Sequence, residues 1–211
     1  MSSTLTMSEP NTVLEGISWE TYDRLVGEVT NRVFINYDRG RLEIVSPSQR
    51  HESWTLFVHH MIVESCIERR VDIVAGGSTT LRKPSKKRGT EPDACYWVQS
   101  EPLVRGRLDL EFDVDPTPDL VLESEASQTV LDRLGILAAL DVGEVWRFDG
   151  SRLIVLILDE TGDYTESTTS ACFPWLPMEE FAAEIPRKGP KNLTSFILQF
   201  REWARENLRV E

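Results

Sequence analysis

Three acidic side chains stand where a carboxylate is costly, and chemistry is sought there first. Asp93 precedes a short apolar segment, Ala94-Cys95-Tyr96-Trp97, and follows Glu91-Pro92. Glu123 ends another apolar segment, Leu120-Val121-Leu122, and Glu125 lies two positions on. In an extended chain side chains alternate, so Asp119, Val121, Glu123 and, if the strand persists, Glu125 share one side. A carboxylate at the end of a buried strand needs compensation. A divalent cation shared by Asp93 and Glu123 would supply it. Mg²⁺ (or Mn²⁺) suits such a site, because it accepts one or two carboxylates and takes waters and phosphate oxygens for the rest. Bound there, it would polarise a phosphodiester and help generate hydroxide. The plainer alternative makes Asp93 a turn residue and Glu123 a cap for the following helix. Spacing alone leaves both open.

Other groups bear on the same place. Arg82, Lys83, Lys86, Lys87 and Arg88 put five of the chain's 23 cations just before Asp93. They could gather phosphate backbone in a salt-sensitive way, with Lys83, Lys86, Lys87 and Arg88 nearest the acid, or form a solvated loop. His51, at the start of a long helical segment, is either a proton shuttle or outer-shell partner of the acids, or an idle surface histidine. His59 and His60 read as packing or solvent residues. Trp54, Trp97, Trp146 and Trp175 lie in apolar patterns and read as core.

The whole chain limits the options. Its 211 residues carry 35 acids against 23 Lys and Arg, a net charge of −12, which argues against coating nucleic acid or anionic membrane. A compact basic site within that acidic shell remains compatible. With 40% hydrophobic and 27% charged residues the composition is globular. Cys66, Cys95 and Cys172 show no paired spacing, which argues against a cysteine zinc cage and a disulfide framework. No apolar run approaches the ~20 residues of a membrane span. The N-terminus lacks a signal-peptide pattern. A cytoplasmic protein without a membrane partner is expected.

The elements that must position these residues read as follows. Residues 1–16 form a flexible arm and residues 17–211 a single domain. Ser18 caps a helix carrying Trp19, Tyr22, Leu25 and Val26. Residues 32–45 form a hairpin turned at Asp38-Arg39-Gly40. A long helix runs to about Arg70, with Trp54, Phe57, Val58, Met61 and Ile62 on its apolar stripe. Short strands are expected over 71–75, 79–81, 93–98 and 118–123, the last covered on both faces. A helix over 129–140 follows, then a hairpin turned at Asp149-Gly150. A short helix at 178–183 and an amphipathic helix over 193–208 end the chain. The class is mixed α/β.

Four segments in order carry a resemblance: RVFINYDRGRLEIVSP (32–47) with His51-Glu52 beyond it, EPDACY (91–96), PDLVLE (118–123) and AALDVGEVW (138–146). Together they resemble the Uma-type restriction endonuclease family of the PD-(D/E)xK nuclease superfamily, from about Trp19 to Pro177. The resemblance implies a restriction-endonuclease-like α/β (α+β) fold, a mixed β-sheet flanked by helices, and a Mg²⁺-dependent phosphodiesterase site acting on nucleic acid, with DNA the expected substrate. Asp93 falls on the first acidic motif and Glu123 on the second. His51 and Glu52 match the pair opening the long helix, and Glu43 the glutamate of the hairpin. The superfamily's lysine is missing: its usual place is Glu125, and its migrated place, on the next helix, is Arg133. Arginine keeps its proton, so Arg133 cannot act as a base, yet it could steady charge on the phosphorane. The expectation is a nuclease of reduced activity. The alternative is a weakened or inactive module of the same fold that binds nucleic acid or a protein partner, and a weaker third is a hydrolase of small phosphoesters. The family and the amphipathic last helix point to a homodimer.

Overall fold

Apolar alternation broken by turn residues produces the hairpin at 34–45, and the same rule accounts for most strands. The computed structural model describes residues 11–29, 33–46, 49–124, 130–186 and 192–209. In chain order these form β1 (Asn11–Leu14), α1 (Trp19–Glu28), β2 (Phe34–Asp38), β3 (Arg41–Val45), α2 (Gln49–Arg69), β4 (Val74–Gly77), β5 (Leu81–Lys83) and β6 (Arg88–Thr90). There follow β7 (Ala94–Trp97), α3 (Glu101–Val104), β8 (Leu120–Ser124), α4 (Arg133–Ala139), β9 (Glu144–Phe148) and β10 (Leu153–Leu158). The last elements are β11 (Tyr164–Ser167), α5 (Met178–Ala183) and α6 (Leu193–Asn207).

Two sheets result. A five-stranded antiparallel sheet has the order β1-β3-β2-β6-β5, and a six-stranded sheet the order β11-β10-β9-β8-β7-β4. The second is mixed, because β8 and β9 run parallel while its other pairs are antiparallel. This is the mixed sheet flanked by helices that the resemblance implies, with a second sheet beside it.

β8 explains the layering. Leu120 and Leu122 face one core with Val58, Met61 and Ile62 of α2, while Val121 faces another with Ile136 and Leu137 of α4. A strand buried on both faces has no polar side to show, hence its unbroken apolar run. Val58, Met61 and Ile62 are 0–1% exposed, and each such burial is worth roughly 1.5–3 kcal/mol. At the other end of the sheet the Asp149-Gly150 turn works as the sequence predicts. Gly150 has φ +90°, and Asp149 Oδ1 accepts from the N–H groups of Ser151 and Arg152.

Several features differ from the sequence reading; β4 spans Val74–Gly77 rather than 71–75, and α3 went unread. Residues 11–14, expected within a flexible arm, pair antiparallel with β3 as β1, held by backbone bonds rather than by buried side chains. Residues 1–10 lie outside the described residues. The cationic stretch is not an open loop: β5 and β6 pair across a tight turn at Pro84–Lys86. β11 went unread because it is a polar strand at the sheet's edge, paired only with β10. The amphipathic face of α6 is used within the chain: Phe196, Phe200 and Ala204 pack into the α2 core and Arg201 makes a two-pronged ion pair with Glu64. Trp203 stacks on Phe200, so this helix's amphipathicity is no argument for a second copy.

Candidate active site

The chain leaves the five-stranded sheet at Thr90 and enters the six-stranded sheet at Ala94. The three residues between, Glu91-Pro92-Asp93, carry the site. Glu91 works at both ends: its Oε2 accepts from the Ile35 N–H (2.7 Å), its Oε1 from Thr80 Oγ1 (2.8 Å), and its carbonyl from Arg133 Nη2 (3.0 Å). One step beyond the last registered pair, Ala94 opposite Leu122, Asp93 faces Glu123. The Ser124 N–H donates to Asp93 Oδ2 (2.5 Å) and locks that register.

The two expected acids therefore take facing backbone positions at the end of one strand pair. They are partnered from opposite layers. Asp93 Oδ1 lies 2.6 Å from His51 Nε2 on α2, with side chains 1% and 6% exposed. Glu123 Oε1 accepts from Arg133 Nη2 on α4 (2.8 Å), with side chains 8% and 13% exposed. Local rules produce both contacts. Strand alternation turns Glu123, like Val121, toward α4, and Asp132, whose Oδ1 accepts from the Gly135 N–H, caps that helix so that Arg133 becomes its first residue. On α2 the i,i+4 spacing of His51 and Thr55 sets both toward the end of β8, where Thr55 Oγ1 donates to Ser124 Oγ (2.9 Å). Phe34 of β2 lies against the His51 ring, centroids 6.0 Å apart.

The remaining expected residues are placed differently. Glu52 is half-buried on the first turn of α2. Glu43 is fully buried on β3; its Oε1 accepts from the Val130 N–H (2.6 Å) and its Oε2 from Asn36 Nδ2 (3.3 Å). Glu125 lies outside the described residues. Of the cations, Lys83 pairs with Asp141 (2.6 Å) and Arg88 with Asp38 (2.9 Å), while Lys86 and Lys87 are exposed at the turn between β5 and β6. Sequence reasoning missed Glu91 and Ser124 as site residues: both act partly through their backbone, which no side-chain pattern records.

Nearby titrations follow burial. Tyr96 is pushed upward, and His59 is pushed downward with His60 adding to the effect; the His59 Nδ1 lies 3.0 Å from the Tyr96 hydroxyl. Burial raises Tyr164, and the charges of Asp141 and Glu123 raise it further. Burial pushes the Cys66 and Cys95 thiols up to about 12, so neither is a ready nucleophile. A cavity of about 700 Å³ lies between α1, β4 and residues 107–113, lined by Asp23, Arg82, Arg107, Asp109, Glu111 and Asp113 among others; neither Asp93 nor Glu123 lines it. Its four acids outnumber its two arginines, which pair with Asp23 and Asp115, so the strand-end pair remains the better candidate.

Among the described residues, no group of three or more His, Cys, Asp or Glu side chains could hold a metal ion. A closed cage of the zinc kind is therefore not built there. An open magnesium-type site asks for less, and Asp93 with Glu123 meets it: two hard oxygen donors at facing positions. Asp93 Oδ1 is moreover buried and accepts no hydrogen bond of good geometry, His51 notwithstanding. A cation entering there competes with Arg133 for Glu123.

Among solved structures, the chain is similar to a protein from Anabaena variabilis ATCC 29413 described as a "putative nuclease belonging to DUF820". The two share 15% identity over 85% of this chain and 98% of that one, with a TM-score of 0.49. No curated protein matches the chain. The sequence profile of the family Uma2, described as "Putative restriction endonuclease", matches residues 19–185, and the chain belongs to that family.

Proposed function

We propose that the chain is an endonuclease that hydrolyses the phosphodiester backbone of nucleic acid, DNA in the first place, with Mg²⁺ or Mn²⁺ held by Asp93 and Glu123. The observation that supports the proposal is the placing of these acids at facing positions of one strand end, with Arg133 bonded to Glu123. Bound there, the cation would supply Lewis acidity at a phosphate oxygen and a more acidic water. The chain's own residues do the rest. Ser124 and His51 orient the Asp93 carboxylate. Arg133 keeps its proton and offers positive charge to the developing phosphorane as it releases Glu123. Lys86 and Lys87 draw the backbone of the substrate toward the junction of the sheets.

The expected result is slow nicking of supercoiled plasmid in Mg²⁺ or Mn²⁺, abolished in Asp93→Ala and in Glu123→Ala. Nicking that survives both substitutions refutes the assignment. A second reading has its own support: both carboxylates already hold protein partners, and arginine stands where a lysine is expected. On that reading the fold binds nucleic acid without cutting it. Salt-sensitive binding without turnover would select it, and activity created by Arg133→Lys would locate the defect.

A further inference from the structure

Glu43 was expected at the chemistry, yet it reaches neither acid through any hydrogen bond described. What it holds is a backbone. Thr90 Oγ1 donates to Asn36 Oδ1 (2.6 Å), Asn36 Nδ2 donates to Glu43 Oε2 (3.3 Å), and the Val130 N–H donates to Glu43 Oε1 (2.6 Å). Thr90, Asn36 and Glu43 are each 0% exposed, one on each of β6, β2 and β3. The chain of bonds thus starts one residue before Glu91 and ends three residues before Arg133. Arg133 in turn donates to the Glu91 carbonyl and to Glu123. The loop closes on itself: the five-stranded sheet grips the entry to α4 at Val130 and meets the first residue of that helix again at Glu91. α4 also packs against β6 and β2.

We infer that Glu43 is a positioning residue: its buried carboxylate tethers the Val130 N–H so that the five-stranded sheet sets where Arg133 meets Glu123. The inference rests on the reading of Asp93, Glu123 and Arg133 as the working site, and it gives the second sheet a task in that site. Two features favour a tether over direct chemistry. A group with no exposed surface cannot touch a polymer without large rearrangement. Both of its oxygens, moreover, already accept hydrogen bonds from the chain. The buried Leu131 side chain anchors the same segment through the core, so Glu43 sets its orientation rather than its attachment.

The chain's chemistry provides a discriminating substitution. In Glu43→Gln, the amide oxygen can still accept from Val130. Its NH₂ then requires an acceptor, which Asn36 supplies by turning its amide over, so that Asn36 Nδ2 faces Thr90 Oγ1. The tether survives while the negative charge is lost. Glu43→Leu keeps the volume and removes the tether. Two readouts need no turnover: exchange protection of the Val130 amide, and the NMR shift of the Arg133 guanidinium.

Glu43→Gln is expected to keep Val130 protection within about threefold and to leave the Arg133 signal in place. Glu43→Leu is expected to lower that protection by about tenfold or more, as loss of a hydrogen bond to a charged acceptor implies, and to move the Arg133 signal. The inference is overturned if Glu43→Leu leaves both signals unchanged. It is equally overturned if Glu43→Gln abolishes Mn²⁺ binding or plasmid nicking while both signals stay put, since the carboxylate would then act as a ligand or base. Absence of nicking in the unsubstituted protein would count against the nuclease reading alone, because the two NMR signals would still decide on the tether.

Discussion

Replacing Arg133 by leucine tests whether Glu123 depends on a protein cation. The guanidinium and the carboxylate are 13% and 8% exposed and 2.8 Å apart, so solvent screens them little. Two unit charges about 4 Å apart at an effective dielectric near 20 attract by about 4 kcal/mol. Removing one member of such a buried pair typically costs about 3–5 kcal/mol, because the other is left charged and uncompensated. Arg133→Leu also orphans the Glu91 carbonyl, which adds to the single-variant loss. A double-mutant cycle with Glu123→Gln removes that contribution from the coupling, which should remain above about 2 kcal/mol. Urea unfolding followed by fluorescence of the six tryptophans reads each corner of the cycle. Mg²⁺ adds a second measurement. At tenfold over its dissociation constant it should restore about 1.4 kcal/mol to Arg133→Leu, by binding the freed carboxylates of the folded state only. The double variant, lacking the Glu123 charge, should gain less. A loss below about 1 kcal/mol for Arg133→Leu, with additive effects in the cycle, would place the pair among solvent-screened surface contacts and refute the reasoning.

Two further outcomes can be measured independently. Burial holds the His59 pKa below its ordinary value near 6.5, with His60 contributing, so the unfolded chain takes up a proton that the folded ring resists. Stability from this group is intact above about pH 7 and falls as the pH drops through the unfolded value. His59→Gln should therefore flatten the dependence of the urea midpoint between pH 8 and 5, and parallel curves for both proteins would contradict the assignment. Reversing the exposed pair, with Lys86→Glu and Lys87→Glu together, should weaken nucleic-acid binding in filter assays and lower its salt slope by about one to two. Arg88→Gln, which removes the less exposed of the two arginine partners of Asp38, should instead reduce stability, and a slope change of the same size would show that Arg88 reaches phosphate.

What the sequence made legible was local. An acid ending an apolar run betrays itself by its cost, and so Asp93 and Glu123 could be named before their partners were known. The position of His51 followed from the start of a long helix, which left open whether it joins the acids or stands idle at the surface. Arg133 was reachable because the resemblance asked for a cation on the helix after the second acid. Long-range and backbone-mediated features were not legible. Val130 is 87 positions from Glu43, and Ile35 is 56 positions from Glu91. In each contact one partner is a backbone N–H that every residue but proline possesses. The edge strands β1 and β11 escaped for a related reason: with little apolar surface to bury, they leave no periodicity to detect.

That division has a consequence for the linker 91–93. A two-sheet protein could join its sheets by any flexible segment, yet here consecutive residues are bound to different layers. Thr90 bonds to β2, the Glu91 side chain to β2 and its carbonyl to the first residue of α4, and Asp93 to β8 and α2. Pro92, between them, fixes one backbone dihedral and gives up no donor to the site. A shift of the five-stranded sheet is therefore passed to Asp93 along the linker and to Arg133 through the Glu91 carbonyl. On the proposed function, carboxylates that share a cation would tolerate little such movement. The tight binding of the linker is thus more than a support for the fold. It ties the five-stranded sheet to the strand end that carries both acids and, through the Glu91 carbonyl, to Arg133.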